Sequence, residues 1–217
     1  MKLVLLPDVV KDKFVALIQP IIRFFVHYKL NPNFFTTISF IICISSAYQF
    51  AKGSLRLAAV LLLLGGLFDM VDGAVARASN RVTKFGALYD STLDRYAEIV
   101  IYFGIMFYFV VHYVGDSKIG LLYAMAVFIG LAGSLMVSYV RARAEGLGFS
   151  CKVGVMQRPE RIVLLGVGAL ISKYTFVFAI LFIAFFANYT AIQRIFHIWA
   201  KENSSKWNKL PPDIAHE

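Results

Sequence analysis

Two stretches of sequence, DMVDGAVAR over residues 69–77 and GALYDSTLD over residues 86–94, place four aspartates beside long apolar runs. Two of the aspartates close one apolar run, and the other two open the next. An ionised aspartate at the centre of a membrane helix costs about 2.5–3.5 kcal/mol. Four such carboxylates need a compensating positive charge, and a divalent cation is the simplest one. The four residues are Asp69, Asp72, Asp90 and Asp94.

The composition around these stretches is that of a polytopic membrane protein. The chain has 217 residues, of which 59% are hydrophobic and 16% charged, and its mean hydropathy is +0.69. A soluble domain carries about 25% charged residues. The net charge of +9 indicates membrane topology and contact with anionic lipids rather than nucleic-acid binding. We expect one transmembrane domain over residues 1–200 and a polar C-terminal tail over residues 201–217.

Six apolar runs follow one another along the chain and predict six transmembrane helices. They cover residues 34–51, 57–77, 87–114, 119–144, 160–172 and 175–199. Ahead of them, residues 8–28 mix basic and apolar side chains, which is typical of an amphipathic helix lying in the membrane interface. The turn at 31–33 separates the two parts because proline disfavours helix at the residue before it. The predicted fold is an all-α membrane protein with six transmembrane helices preceded by an N-terminal amphipathic interfacial helix.

The basic residues predict the orientation of these helices. With six spans, 18 of the 22 lysines and arginines fall on the side that holds both termini. Only Lys52, Arg56, Lys118 and Lys173 fall on the other side. The positive-inside rule makes the rich side cytoplasmic. The protein is therefore predicted to be a multi-pass integral membrane protein, in a prokaryotic cell membrane, with the aspartates facing the cytoplasm.

The spacing of the aspartates predicts a shared site. Asp69 and Asp72 are three residues apart, Asp90 and Asp94 are four apart, and each pair therefore lies on one face of a helix. Two antiparallel helices joined by a short turn bring these faces together. Four carboxylates can hold one or two hard cations such as Mg²⁺ or Mn²⁺. Two metals about 3.5–4 Å apart would bridge phosphate oxygens and stabilise a displacement at phosphorus.

Neighbouring residues in the two stretches favour a phosphate-containing ligand. Gly73 and Gly86 lack a Cβ and let a ligand approach the backbone closely. Arg77 can contact a phosphate with two nitrogens, and Thr83 can donate a hydroxyl to the same group. Aspartates that merely cap helices or pair with nearby arginines would not require this combination of residues at fixed spacing.

The pattern resembles the signature of the CDP-alcohol phosphotransferase family, D-x2-D-G-x2-A-R-x8-G-x3-D-x3-D. Every fixed position matches: Asp69, Asp72, Gly73, Ala76, Arg77, Gly86, Asp90 and Asp94. The resemblance implies an enzyme that transfers a substituted phosphate from a CDP-linked donor to an alcohol and releases CMP. It implies that all four aspartates contact metal, that Asp94 is also the general base, and that the protein is a homodimer.

A second set of residues resembles the branch of this family that joins CDP-diacylglycerol to inositol 1-phosphate, the phosphatidylinositol-phosphate synthases. In that branch three basic residues form the acceptor-phosphate pocket, and they fall here on Arg141, Arg161 and Arg194. Arg141 replaces a lysine common in the branch, and Gln157 replaces a glutamate. The donor-binding turn of the branch falls on Asn31, Pro32, Asn33 and Phe34, with Asn31 in place of threonine. The expected CDP-donor site comprises Asn31, Pro32, Asn33, Phe34, Asp69, Gly73, Arg77 and Thr83.

Several alternatives remain open at this point. Within the family, the acceptor could be glycerol 3-phosphate, which would make the protein a phosphatidylglycerophosphate synthase, or another alcohol. An archaeal ether-lipid donor fits the sequence as well as a diacyl donor does. Intramembrane carboxylates also occur in cation transporters, although the basic residues beside these aspartates suit an anion better. A structural membrane protein offers no reason for the fixed spacing.

Overall fold

The computed structural model describes residues 31–79, 81–113 and 116–207, together with the single residues 19, 23, 25, 26 and 28. From residue 31 onward it contains six helices and, within this described part, no strand. They are α1 (Pro32–Ala51), α2 (Leu55–Ala78), α3 (Lys84–His112), α4 (Ser117–Gly146), α5 (Arg158–Ile171) and α6 (Lys173–Trp207). The all-α prediction is confirmed. The interfacial helix predicted over residues 8–28 lies almost wholly outside the described residues.

Five of the six helices in the described part of the chain are long and apolar enough to cross a membrane. The exception is α5, which has 14 residues and therefore spans about 21 Å at 1.5 Å per residue. A bilayer's hydrocarbon core is about 30 Å thick. The predicted sixth span is present as a helix but is too short to count as a membrane span by length.

Polar caps define where α1 and α3 begin. The Asn31 side chain accepts a hydrogen bond from the Asn33 backbone N–H at 3.0 Å, and Pro32 occupies the first helical turn, where its missing N–H costs nothing. Thr83 caps α3 by accepting from the Gly86 backbone N–H at 2.9 Å. Both starts belong to the stretches that the sequence marks as functional.

The last helix is longer than its apolar run. The sequence predicts a span over 175–199 and a polar tail from residue 201, whereas α6 continues to Trp207. The intervening residues contain no proline or glycine, and the first helix-breaking residues are Pro211 and Pro212. Hydropathy reports where the apolar face ends, whereas a helix can extend through polar residues that include no helix breaker.

Aromatic stacking and small residues hold the bundle together. The rings of Phe50 on α1 and Phe176 on α6 are stacked with centroids 5.3 Å apart, and Phe109 on α3 lies 6.2 Å from Phe176. Where α1 meets α3, a Cβ placed on Gly104 would lie 2.3 Å from the Ala47 carbonyl oxygen. This glycine permits the close helix contact typical of membrane bundles.

Large apolar side chains cover the outside of the molecule. Phe103, Phe128, Phe178 and Phe185 are each more than 60% exposed, whereas the ionisable residues Asp72, Glu98 and Arg161 are buried. Soluble proteins rarely expose apolar surface on this scale. The arrangement is that expected of a bundle surrounded by lipid.

Candidate active site

The end of α2 and the beginning of α3 bring three of the four aspartates together. Asp69, Asp72 and Asp90 each offer a carboxylate oxygen, and these oxygens all lie within 4.8 Å of one another. Asp72 is buried, and the other two are half-buried. Three convergent oxygens of this kind form a donor set that suits a hard divalent cation.

Asp72 is oriented by a residue of α1. The Thr36 hydroxyl donates a hydrogen bond of 2.7 Å to Asp72 Oδ2, and both side chains are buried. A hydrogen bond of this type fixes a metal-ligating carboxylate and leaves its second oxygen available. Thr36 is therefore a supporting residue of the site that the sequence did not single out.

Asp94 shares a basic partner with Asp69. Arg158, the first residue of α5, contacts Asp94 Oδ1 through Nη2 at 2.8 Å. Its Nη1 contacts Asp69 Oδ2 at 2.6 Å, so that one guanidinium bridges an aspartate of α2 and an aspartate of α3. Arg95 lies farther from Asp94, at 3.8 Å. The sequence grouped Arg158 with the arginines expected near the cytoplasmic face and did not predict its contact with the aspartates. The available signal was its position at the start of a span, directly before Pro159.

Five of the eight residues expected at the CDP donor lie where α1 and α3 begin, namely Asn31, Pro32, Asn33, Phe34 and Thr83. A Cβ on Gly86 would lie 2.9 Å from Thr83 Oγ1 and 3.3 Å from Asn33 Oδ1, so the two helix N-termini meet at this glycine. The positive ends of the two helix dipoles at this point favour an anion. Phe34 is 55% exposed at the same end of α1.

Arg77 lies against the glycine of the first stretch. Its Nη1 would be 3.2 Å from a Cβ on Gly73. The absence of a side chain at Gly73 therefore leaves room for the guanidinium one turn beyond Asp72. A positive group in this place can contact a phosphate that a bound cation would hold beside the aspartates.

Of the three arginines expected at the acceptor, Arg161 is the most buried, with 1% exposure. It donates to Glu98 Oε1 from Nη2 at 2.5 Å and from Nε at 3.0 Å. Its Nη1 donates to the Met156 carbonyl at 3.1 Å. Glu98 was not identified from the sequence, although a carboxylate inside an apolar run is itself a signal.

Arg194 and Arg141 differ in exposure and in their partners. Arg194 is 3% exposed and donates to the carbonyl oxygens of Val153 at 2.8 Å and Val137 at 2.5 Å. Arg141 is exposed and pairs with Glu145 at 2.9 Å. Arg141 and Arg161 both lie close enough to Arg194 for their charges to interact. The three arginines form one basic region, and the two buried ones also hold the loop that leads to Arg158.

An apolar helical bundle with convergent carboxylates beside arginines defines a site for a cation and a phosphate-bearing ligand, and comparison with known proteins identifies the family. Residues 29–201 match the sequence profile of CDP-alcohol phosphatidyltransferases. The chain therefore belongs to the CDP-alcohol phosphatidyltransferase family, as the signature predicted, and is an enzyme.

The relatives of this chain include named synthases. The archaetidylinositol phosphate synthase of Methanothermobacter thermautotrophicus is 35% identical over 205 residues, covering 90% of this chain and 99% of the relative. The phosphatidylinositol phosphate synthase of Corynebacterium glutamicum is 32% identical over 201 residues, covering 90% of each protein.

Solved structures of the Mycobacterium tuberculosis phosphatidylinositol phosphate synthase are also similar. The crystal structure with CDP-DAG bound has a TM-score of 0.74 and 29% identity, covering 83% of this chain and 92% of that chain. The complex with manganese and citrate has the same TM-score and identity and covers 83% of this chain and 88% of that chain.

Proposed function

We propose that this protein transfers a phosphatidyl group from CDP-diacylglycerol, or its archaeal ether-lipid counterpart, to the hydroxyl of a phosphorylated polyol. Inositol 1-phosphate is the favoured acceptor, and CMP is the leaving group. The observation that carries the proposal is the set of carboxylate oxygens of Asp69, Asp72 and Asp90 within 4.8 Å of one another. The similarity to inositol phosphate synthases of both ether and ester lipids supports the acceptor class.

The acidic residues fit a divalent metal, Mg²⁺ or Mn²⁺. Asp69, Asp72 and Asp90 would hold a first ion, and Asp94 together with Asp69 would complete a second site. When bound, such ions neutralise charge on the pyrophosphate and make CMP a better leaving group. The relative crystallised with manganese supports the choice of ion class.

The donor would bind across the N-termini of α1 and α3. Asn31, Pro32, Asn33 and Phe34 would contact the cytidine part, with Thr83 donating its hydroxyl nearby. Arg77, held over Gly73, and the positive ends of both helix dipoles would provide positive charge for the phosphates. This placement directs the reacting phosphorus toward the aspartates.

Asp94 would act as the general base. A carboxylate within hydrogen-bond reach of the acceptor hydroxyl can take its proton as the oxygen attacks phosphorus. In the structure, Arg158 Nη2 lies 2.8 Å from Asp94 Oδ1. The base is available once that contact is released.

The acceptor phosphate would bind in the basic region of Arg141, Arg161 and Arg194. Guanidinium groups suit a phosphate dianion because they present paired N–H donors. Arg141 is the exposed member of the group and is paired with Glu145, and a soluble ligand would meet it first. The buried Arg161 and Arg194 would contribute positive potential and hold the backbone that lines the pocket.

The remaining features of the proposal concern the whole protein. It would be a multi-pass protein of a prokaryotic cell membrane, with α5 completing six spans and the site facing the cytoplasm, as the basic residues indicate. A homodimer is expected from the family resemblance. Cation transport is disfavoured because Arg158 lies among the aspartates and would repel a passing cation.

An assay of CMP release by the purified protein tests the proposal. The donors are CDP-diacylglycerol and CDP-archaeol, the acceptors are inositol 1-phosphate, glycerol 3-phosphate and serine, and each pair is tested with Mg²⁺, Mn²⁺ or EDTA. We expect metal-dependent release that is fastest with inositol 1-phosphate. Release only with glycerol 3-phosphate would identify a phosphatidylglycerophosphate synthase. No release under any condition would contradict the proposal.

A further inference from the structure

Arg158 makes an unusual contact because it uses two different aspartates of the proposed metal site. Its Nη1 lies 2.6 Å from Asp69 Oδ2 and its Nη2 lies 2.8 Å from Asp94 Oδ1. The three side chains are 15%, 21% and 14% exposed, respectively. A forked, largely desolvated contact of this type is strong. In this state the guanidinium supplies the positive charge that the two carboxylates require.

Little else holds the Arg158 side chain in place. Its Nε is buried and has no hydrogen-bond partner among the described residues. The carboxylates of Asp69 and Asp94 are its close polar partners among the described residues, and the charge of Glu98 lies near it. Once the two contacts are lost, no hydrogen bond in the described part of the chain holds the guanidinium in the site. By contrast, the loop leading to Arg158 is fixed, since Arg161 binds the Met156 carbonyl and Arg194 binds the Val153 carbonyl. The side chain can change its contacts while its backbone stays where it is.

The charges of the site divide into two groups. Asp69, Asp72 and Asp90 converge on one another, and a cation among them is compatible with the Arg158 contact. A second cation between Asp69 and Asp94 is not, because Arg158 already bridges these two carboxylates at 2.6 and 2.8 Å and would repel a cation placed beside it.

We propose that Arg158 is a positioning residue that holds the place of the second metal ion and must release Asp69 and Asp94 before that ion can bind. This inference rests on the proposed two-metal function. Once released, the guanidinium finds a new partner in the donor's pyrophosphate, with which it can form charge-assisted hydrogen bonds. Donor binding and loading of the second ion therefore favour each other, as binding linkage requires.

The test measures Mn²⁺ binding to the purified full-length protein without substrates, by electron paramagnetic resonance of free Mn²⁺. The variants are Arg158→Gln and, as a matched control, Arg95→Gln, which removes a cation 3.8 Å from Asp94 that does not bridge two aspartates. We expect the wild type to bind one ion tightly and the second weakly. Arg158→Gln should bind the second ion at least tenfold more tightly than the wild type does. Arg95→Gln should change the dissociation constant of the second ion less than threefold. Adding CDP should increase the affinity of the wild type for the second ion and should have little effect on that affinity in Arg158→Gln.

Identical Mn²⁺ isotherms for the wild type and Arg158→Gln would overturn the inference, and so would an equal shift in Arg95→Gln. If Arg158→Gln does not fold, Arg158→Lys keeps the charge but loses the fork. Arg158→Lys should then bind the second ion two- to tenfold more tightly than the wild type does, and an unchanged isotherm would overturn the inference. CMP release by the wild type is measured separately. Normal release with unaltered Mn²⁺ binding in the variants refutes this inference alone, whereas failure of the wild type to release CMP refutes the proposed function.

Discussion

At the scale of single residues, the site depends on which side chain each carboxylate contacts. Asp72 receives a hydrogen bond from Thr36 at 2.7 Å, while Asp94 is paired with Arg158 at 2.8 Å. Identical side chains thus have different immediate partners. This difference supports a ligand role for Asp72 and a separate role as base for Asp94.

Asp94→Asn is expected to abolish transfer while leaving binding of the CDP donor largely intact. An amide cannot accept the acceptor's proton, and loss of a general base costs about 10²–10⁴-fold in rate. Turnover of CDP-diacylglycerol and equilibrium binding of CDP measure the two effects. Near-normal turnover by this variant would remove Asp94 from the role of base.

Thr36→Val should weaken metal binding by about 10–100-fold, because hydrogen bonds to metal ligands typically contribute that much. Thr37→Val is the matched control, since the Thr37 hydroxyl contacts the Tyr89 hydroxyl at 3.0 Å rather than an aspartate. The Mn²⁺ dissociation constant checks the prediction. Equal effects of the two substitutions would show that the Thr36 contact is not specific to the metal site.

At the scale of elements, a buried ion pair ties α5 to α3. Arg161 and Glu98 are 1% and 4% exposed, and their closest contact is 2.5 Å. The same arginine binds the Met156 carbonyl and so fixes the start of α5. The pair therefore places Arg158 against the aspartates.

Glu98→Ala should destabilise the fold by about 3–5 kcal/mol, because it leaves the Arg161 charge buried and uncompensated. Unfolding in detergent micelles measures the change. The double variant Glu98→Met with Arg161→Met should recover much of the stability. If Arg161 also binds the acceptor phosphate, the folded double variant will have a raised KM for the acceptor and an unchanged KM for the donor.

The contact between α1 and α3 gives another element-scale prediction. Gly104→Ala should destabilise the bundle by about 1–3 kcal/mol, the usual cost of overpacking, because a Cβ there would lie 2.3 Å from the Ala47 carbonyl oxygen. Gly146→Ala is the control, since a Cβ at that position meets nothing within 4 Å. A smaller loss of stability in Gly104→Ala than in Gly146→Ala would contradict the packing described here.

Much of the element order could be predicted from the sequence, because long apolar runs report helices directly. The convergence of Asp69, Asp72 and Asp90 followed from their spacing within two consecutive helices. The contacts of Arg158 and Glu98 could not be predicted, because they depend on how α5 packs. Arg158 is 64 and 89 residues from its partners Asp94 and Asp69, and Glu98 is 63 residues from Arg161. Helix ends were also uncertain, as the extension of α6 to Trp207 shows.

At the scale of the whole molecule, an apolar exterior and an apolar helical core enclose a polar site. Exposed phenylalanines cover the outside, while carboxylates and arginines lie between the helices. Metal ions would neutralise the aspartates and join α2 to α3. Binding to the folded state alone stabilises a protein by mass action.

Removal of metal should therefore lower the apparent Tm of the detergent-solubilised protein, and Mn²⁺ should restore it. The expected rise in Tm is several degrees at saturating Mn²⁺, and the Tm of Asp72→Asn should rise less than that of the wild type. A Tm that does not depend on EDTA or Mn²⁺ would mean that the aspartates do not bind the ion in the folded protein.

The most direct test of the central claim is a crystal structure of the protein soaked in saturating Mn²⁺, with anomalous scattering used to locate the metal. We expect an anomalous peak within coordinating distance of carboxylate oxygens of Asp69, Asp72 and Asp90. An absence of manganese among these three aspartates, with their side chains separated, would contradict the account.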